Sequence, residues 1–122
     1  MISAGYLELQ VHPYTLNTAP TEELLRTTVI DNIKGWKGKI LELREDIMIK
    51  LRKKHNVPVY ACYIKQKGLF GYLLMIIVNN SEFVFRWIAA SKKISDFYID
   101  NIDKIIDSFE FNTKEQGCRG RF

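Results

Sequence analysis

The sequence predicts an α+β domain built on a twisted antiparallel sheet, and three observations carry that prediction. Apolar residues alternate at period two over 6–12 and in several runs between 39 and 90, and they recur at helical spacing over 24–36 and 94–109. Clusters of turn residues separate the central runs by only a few positions, so consecutive strands there pair as antiparallel neighbours in a meander. The predicted order is strand, helix, strands, helix, with both helices covering one face of the sheet.

The first strand is Tyr6-Leu7-Glu8-Leu9-Gln10-Val11-His12, in which Leu7, Leu9 and Val11 oppose Glu8, Gln10 and His12. Asn17-Thr18-Ala19-Pro20-Thr21 then supplies capping residues. Glu22 and Glu23 follow where a helix dipole favours acids, and Leu24, Leu25, Val29, Ile33 and Trp36 mark the buried stripe up to Gly35 and Gly38. From Lys39 the period reads as two, with Ile40, Leu43, Ile47, Ile49 and Leu51 alternating with Met48, Lys50 and Arg52, which predicts strands ending in a polar turn, Arg52-Lys53-Lys54-His55-Asn56. Val57 to Ile64 is the next strand, with Pro58 near its start where a missing N–H is tolerated. After the turn Lys65-Gln66-Lys67-Gly68 come a strand over Leu69 to Val78, a turn over Asn79 to Glu82 and a strand over Phe83 to Ala90. Ser91 caps the last helix, whose Ile94, Phe97, Tyr98, Ile102, Ile105, Ile106 and Phe109 form one apolar stripe. Asp96, Asp100, Asp103 and Asp107 mark its solvated side.

The 122 residues, 47% of them hydrophobic and 12% aromatic, suffice for one domain with a real core, expected over 1–112, followed by a frayed tail over 113–122. The net charge of +4 is segmental, since residues 34–67 hold ten basic and three acidic residues. Cys62 sits in an apolar run and Cys118 in a Gly- and Arg-rich tail, so neither a disulfide nor a zinc site of ordinary spacing is expected. The N-terminus shows no basic and apolar leader pattern. The longest apolar run, Leu69 to Val78, falls short of the ~20 residues of a membrane-spanning helix. We therefore expect a cytoplasmic protein, or an extracytoplasmic one had a leader been removed.

No chemistry-bearing motif stands out. His12 and His55 are the two histidines, about forty residues apart, and form no metal-ligand spacing. Ser91 and Ser108 lack a nucleophile-elbow context, no histidine neighbours either cysteine, and Gly68 and Gly71 lack the Lys-Ser of a phosphate loop. The aspartates of the last helix do not have the loop spacing of a calcium site. The expectation is a protein that is not an enzyme and has neither cofactor nor metal.

The order of elements resembles the PsbP-like superfamily over roughly residues 5–111. The resemblance rests on Thr21-Glu22-Glu23-Leu24 opening the early helix, on the strand start Val57-Pro58-Val59-Tyr60, on Phe83-Val84-Phe85-Arg86-Trp87, and on the closing Ile105-Ile106-Asp107-Ser108-Phe109-Glu110-Phe111. The strands and Pro-Trp turn that usually precede the first helix in that family are mostly missing. These are core and turn residues, so the resemblance implies a fold together with a scaffold, adaptor or chaperone role. Its members include a photosystem II extrinsic subunit, a Ran-binding nuclear import factor, bacterial DcrB-like proteins and dimeric chaperones of type VI effectors.

Two surfaces are candidates for binding. In the strand over 69–78, Tyr72, Leu74, Ile76 and Val78 alternate with Leu73, Met75 and Ile77, so both faces are apolar and something must cover the second. The cover is either the missing N-terminal strands, a second copy or a client segment; a second copy or protein partner is the expected one, with Tyr72, Leu74, Met75 and Trp87 as contact residues and Met75 adding adaptability. Arg52, Lys53, Lys54, Lys65 and Lys67, with Lys50, are expected to gather at one end of the meander and guide an acidic partner. With Tyr60, Tyr63 and Phe70 nearby, the same set suits the alternative of a nucleic-acid or other acidic-ligand binder.

Overall fold

A computed structural model describes residues 5–110 apart from 16 and 18. The expected tail over 113–122, with Cys118, lies outside the described residues. The architecture is α+β, an open five-stranded antiparallel sheet with three helices. In chain order the elements are β1 (Gly5–Pro13), α1 (Glu22–Gly35), β2 (Gly38–Leu43), α2 (Glu45–His55), β3 (Val59–Gln66), β4 (Leu69–Val78), β5 (Ser81–Ala89) and α3 (Lys92–Ser108). Across the sheet the strands run β1-β5-β4-β3-β2.

The meander forms because its turns are chemically suited to tight hairpins. Asn79 and Asn80 both take left-handed backbone angles in the two-residue β4–β5 loop, and Lys67-Gly68 does the same between β3 and β4. Strand β1 returns to lie beside β5, with Leu7 opposite Trp87 and Leu9 opposite Phe85. The helices begin at capped positions. Thr21 Oγ1 accepts the Leu24 N–H at 3.1 Å for α1, and Ser91 Oγ accepts the Ile94 N–H at 3.2 Å for α3.

Two expectations are corrected. Residues 47–51 form no strand: they lie in α2, with Ile47, Met48 and Leu51 buried, and Arg52 to His55 are its last turn before the left-handed cap Asn56. The helix wins because Glu45 and Asp46 sit in its first turn and four basic side chains in its last, matching the dipole at both ends. The helices also do not share one face. Tyr98 packs edge-on against Trp87 and Phe109 against Phe85, which places α3 on one side. Trp36, at the end of α1, lies against Arg86, on the other. Helix α2 follows the end of β2 and packs beside β3, where the Arg44 N–H donates to Ala61 O at 2.8 Å and closes off the start of β3.

Core residues therefore occupy both sides of β4, from Tyr72 to Val78 without a break. The acidic side of α3 is not uniformly solvated either. Asp103 bonds Arg44 at 2.9 Å and Asp107 meets Lys50 at 3.4 Å, so these two tie α3 to the segment around α2. Cys62 is wholly buried in β3, and desolvation pushes its thiol pKa up to about 12. In a Cys118→Ser background, Cys62 is expected to stay unmodified by a thiol reagent at pH 8 until denaturant is added; native-state labelling within minutes would contradict its placement. Among the described residues no helix is long and apolar enough to cross a membrane.

Candidate functional site

The four residues expected on an open apolar face are core residues here: Tyr72 is 1% exposed, Leu74 0%, Met75 1% and Trp87 6%. They do not share one face. Tyr72, Leu74 and Trp87 lie on the α3 side, whereas Met75 lies on the α1 side. The cover inferred from the two-sided apolar pattern comes from α1 and α3 themselves. The Tyr72 ring lies 5.1 Å from the Arg44 guanidinium. Burial, with the charge of Asp103 adding to it, holds the phenol far above the ordinary tyrosine range despite that cation.

The basic residues divide in a way the sequence did not show. Arg52 pairs with Glu22 of α1, and Lys54 reaches the Asp107 carbonyl and, at 3.8 Å, Glu110. These cations fasten α2 to its neighbours, and Lys53 is left exposed on the helix surface. Lys65 and Lys67 lie at the opposite end of β3, about 25 Å away at ordinary strand rise. The single basic cluster expected from the sequence is thus two separate groups.

At that opposite end Lys65 and Lys67 meet two lysines that sequence reasoning passed over, Lys37 and Lys39. The four side chains are exposed and surround a shallow hollow of about 270 Å³ floored by Gly38 and Gly68. Lys39 stands directly opposite Lys65 in the β2–β3 register, a like-charge pair of the kind that destabilises a ladder. None of the four has a carboxylate partner among the described residues.

The backbone breaks a second rule at the same place. Five non-glycine residues among those described have positive φ. Three are Asn56, Asn79 and Asn80, the residue type that tolerates left-handed angles best, and the other two are Lys37 at 60° and Lys67 at 50°. Lysine at either site costs stability that Asn or Gly would not. Two departures from local preference, charge repulsion and left-handed lysines, coincide on one exposed surface. Such coincidences are typical of sites retained for binding. The signal in the sequence was the repeat of Lys beside Gly in Lys37-Gly38-Lys39 and Lys67-Gly68, but only the β2–β3 register brings the two together.

Beside this lysine end, on the α3 side of the sheet, lies a groove of about 210 Å³ lined by Leu41, Tyr63 and Phe70, with Glu42, Lys92 and Asp96 on its rim. The Lys65 ammonium sits 5.5 Å from the Phe70 ring centre and joins the groove to the lysines. A third hollow, about 370 Å³, lies on the α1 side between Trp36, Asn32, Gln10, His12, Glu82 and Arg86. Its cation is already engaged, because Arg86 bonds Glu8 at 2.9 Å and the Tyr6 hydroxyl at 3.2 Å and stacks on Trp36.

Comparison of the chain with known proteins finds no matching family model, no matching curated sequence and no matching solved structure. Geometry alone bears on function. Among the described residues no group of three His, Cys, Asp or Glu comes together in a way that could hold a metal ion. His12 bonds Gln10 at 3.1 Å on β1 and His55 ends α2, where desolvation and the neighbouring Lys54 lower its pKa.

Proposed function

We propose that the chain is a PsbP-like, non-enzymatic binding module that engages an anionic partner at the end formed by Lys37, Lys39, Lys65 and Lys67. One observation carries this reading: four exposed ammonium groups without carboxylate partners among the described residues, two of them on backbone positions that lysine occupies only at a cost. The lysines of α2 do not support it equally, since Lys50 and Lys54 are spent on ion pairs within the fold. Homodimerisation across an apolar sheet face has lost its ground, because α1 and α3 occupy both faces.

The test exploits a trade between stability and binding. The double variant Lys37→Asn/Lys67→Asn relieves two left-handed lysines and lowers the local charge, so it should be more stable by about 1 kcal/mol and melt several degrees higher. Its affinity for a fluorescein-labelled oligoglutamate, followed by anisotropy, should fall at least about tenfold. Wild-type binding should weaken steeply with added salt. Equal loss from a Lys53→Asn control, or undiminished binding by the double variant, would refute the site.

A further inference from the structure

We infer that the anionic partner is an extended protein segment that carries carboxylates beside one apolar anchor residue, and that the anchor seats in the Leu41–Tyr63–Phe70 groove while the carboxylates meet the lysines. The inference rests on the anionic reading above and adds the class of partner and the placement of its acids and anchor. Three features converge on it.

The first is continuity. Lys39 and Lys65 lie on the same side of the sheet as Tyr63 and Phe70, and the Lys65 ammonium over the Phe70 ring leaves no gap between charge and groove. The second is the bulge in β2. Register against β3 shifts between Ile40 and Glu42, so Leu41 is the extra residue and stands 44% exposed at the mouth of the groove. The third is the strand edge. β2 ends the sheet, and among the described residues no strand pairs with its outer row over Gly38–Leu43, which leaves that row for an added extended chain, whereas α2 closes the neighbouring stretch of β3.

Charge then sets where the acids and the anchor lie along β2. Lysines stand at the Lys37–Lys39 end of β2, while Glu42 and the Lys92–Asp96 ion pair rim the groove at the other. An added segment would place its acids against the lysines and its apolar residue about two positions, roughly 7 Å, further along. A nucleic-acid strand fits this surface less well. Its phosphates would have to pass Glu42, and the Phe70 ring nearest the lysines is half-buried beneath an ammonium group instead of presenting a stacking face.

The experiment measures anisotropy with three labelled probes on the full chain: an acidic peptide with one Phe two residues after its acids, the same peptide with Ser in place of Phe, and oligothymidylate. The Phe peptide should bind about tenfold tighter than the Ser peptide. Leu41→Ser should erase that advantage, bringing the Phe peptide down to the affinity of the Ser peptide. Equal binding of the two peptides, both sensitive to Lys37→Asn/Lys67→Asn, would overturn the anchored segment and leave the anionic reading standing. Tighter binding of oligothymidylate than of either peptide would overturn it in favour of nucleic acid. Indifference of every probe to the lysine variants would refute the underlying reading itself.

Discussion

Arg44→Ala should remove about 3–5 kcal/mol of folding stability, the largest loss expected from any single charged residue in this chain. Arg44 is buried and its guanidinium forks between two carboxylates, donating through Nε and Nη2 to Asp46 at 3.1 and 2.9 Å and through Nη1 and Nη2 to Asp103 at 3.3 and 2.9 Å. The rings of Tyr63 and Tyr72 lie 5.1 Å from it. Burial alone would lower the arginine pKa. The two carboxylate bonds outweigh that, and the cation is held above even its ordinary range. Truncation takes the cation from the α2 N-cap position, leaves Asp103 facing a desolvated gap and strips two tyrosines of their packing.

The two carboxylates should not count equally. Asp103 is 22% exposed and Asp46 68%, so Asp46→Asn should cost under ~1 kcal/mol, since water can solvate what the bond no longer does. The bond from Arg44 holds the Asp46 carboxyl below its usual pKa. A depressed carboxylate contributes stability above its unfolded pKa near 4 and loses it as pH falls through the folded value. The gap between wild type and Arg44→Ala should therefore begin to narrow below about pH 4. Urea denaturation at pH 7 and at stepped acid pH measures both effects. A loss under ~1 kcal/mol at pH 7 would show that Arg44 is not the tie between β2, α2 and α3 that its geometry describes.

Gly71→Ala is the second large effect, with at least about 3 kcal/mol lost or no folded protein recovered. A Cβ built at Gly71 would stand 1.9 Å from the Trp87 carbonyl oxygen and 3.0 Å from Ile88 Cδ1. The obstacle is backbone, and Gly71 is paired on both sides, with Ile64 on β3 and Ile88 on β5, so neither neighbour can step away. Gly35→Ala is the matched control. Nothing lies within 4 Å of a Cβ there and the residue is helical, so stability should rise by about 0.5–1 kcal/mol. Thermal melts of the pair decide the matter, and similar melting temperatures would contradict the close approach at Gly71.

Most strands were legible because local chemistry and global packing agree in them. Leu7, Leu9 and Val11 alternate as a half-covered edge must, and β4 is apolar throughout because helices lie on both of its sides. Helix α2 was misread for a physical reason. Ile47, Ile49 and Leu51 alternate and include β-branched residues, so over five positions the pattern fits a strand. The deciding information was in the charges at the two ends, Glu45 and Asp46 against Arg52 to His55. The contact surface was misread because a two-sided apolar strand announces that it is covered but not by what. The lysine end was half visible, through Lys65 and Lys67. Its other half, Lys37 and Lys39, belongs to a turn about thirty residues earlier that only strand register brings alongside.

Strand β1 joins β5 from the far end of the chain, Gly5 opposite Ala89 and Pro13 opposite Ser81, whereas β3, β4 and β5 are linked by two-residue turns. Closing the long loop costs entropy that the hairpins never face, so β1 is the element to dock last as the chain folds. It is also a largely exposed strand, with Tyr6, Leu9 and Val11 only partly covered. Until β1 docks, the hydrogen-bonding edge of β5 is bare, so the folding chain passes through a stage in which that edge is open to another extended segment.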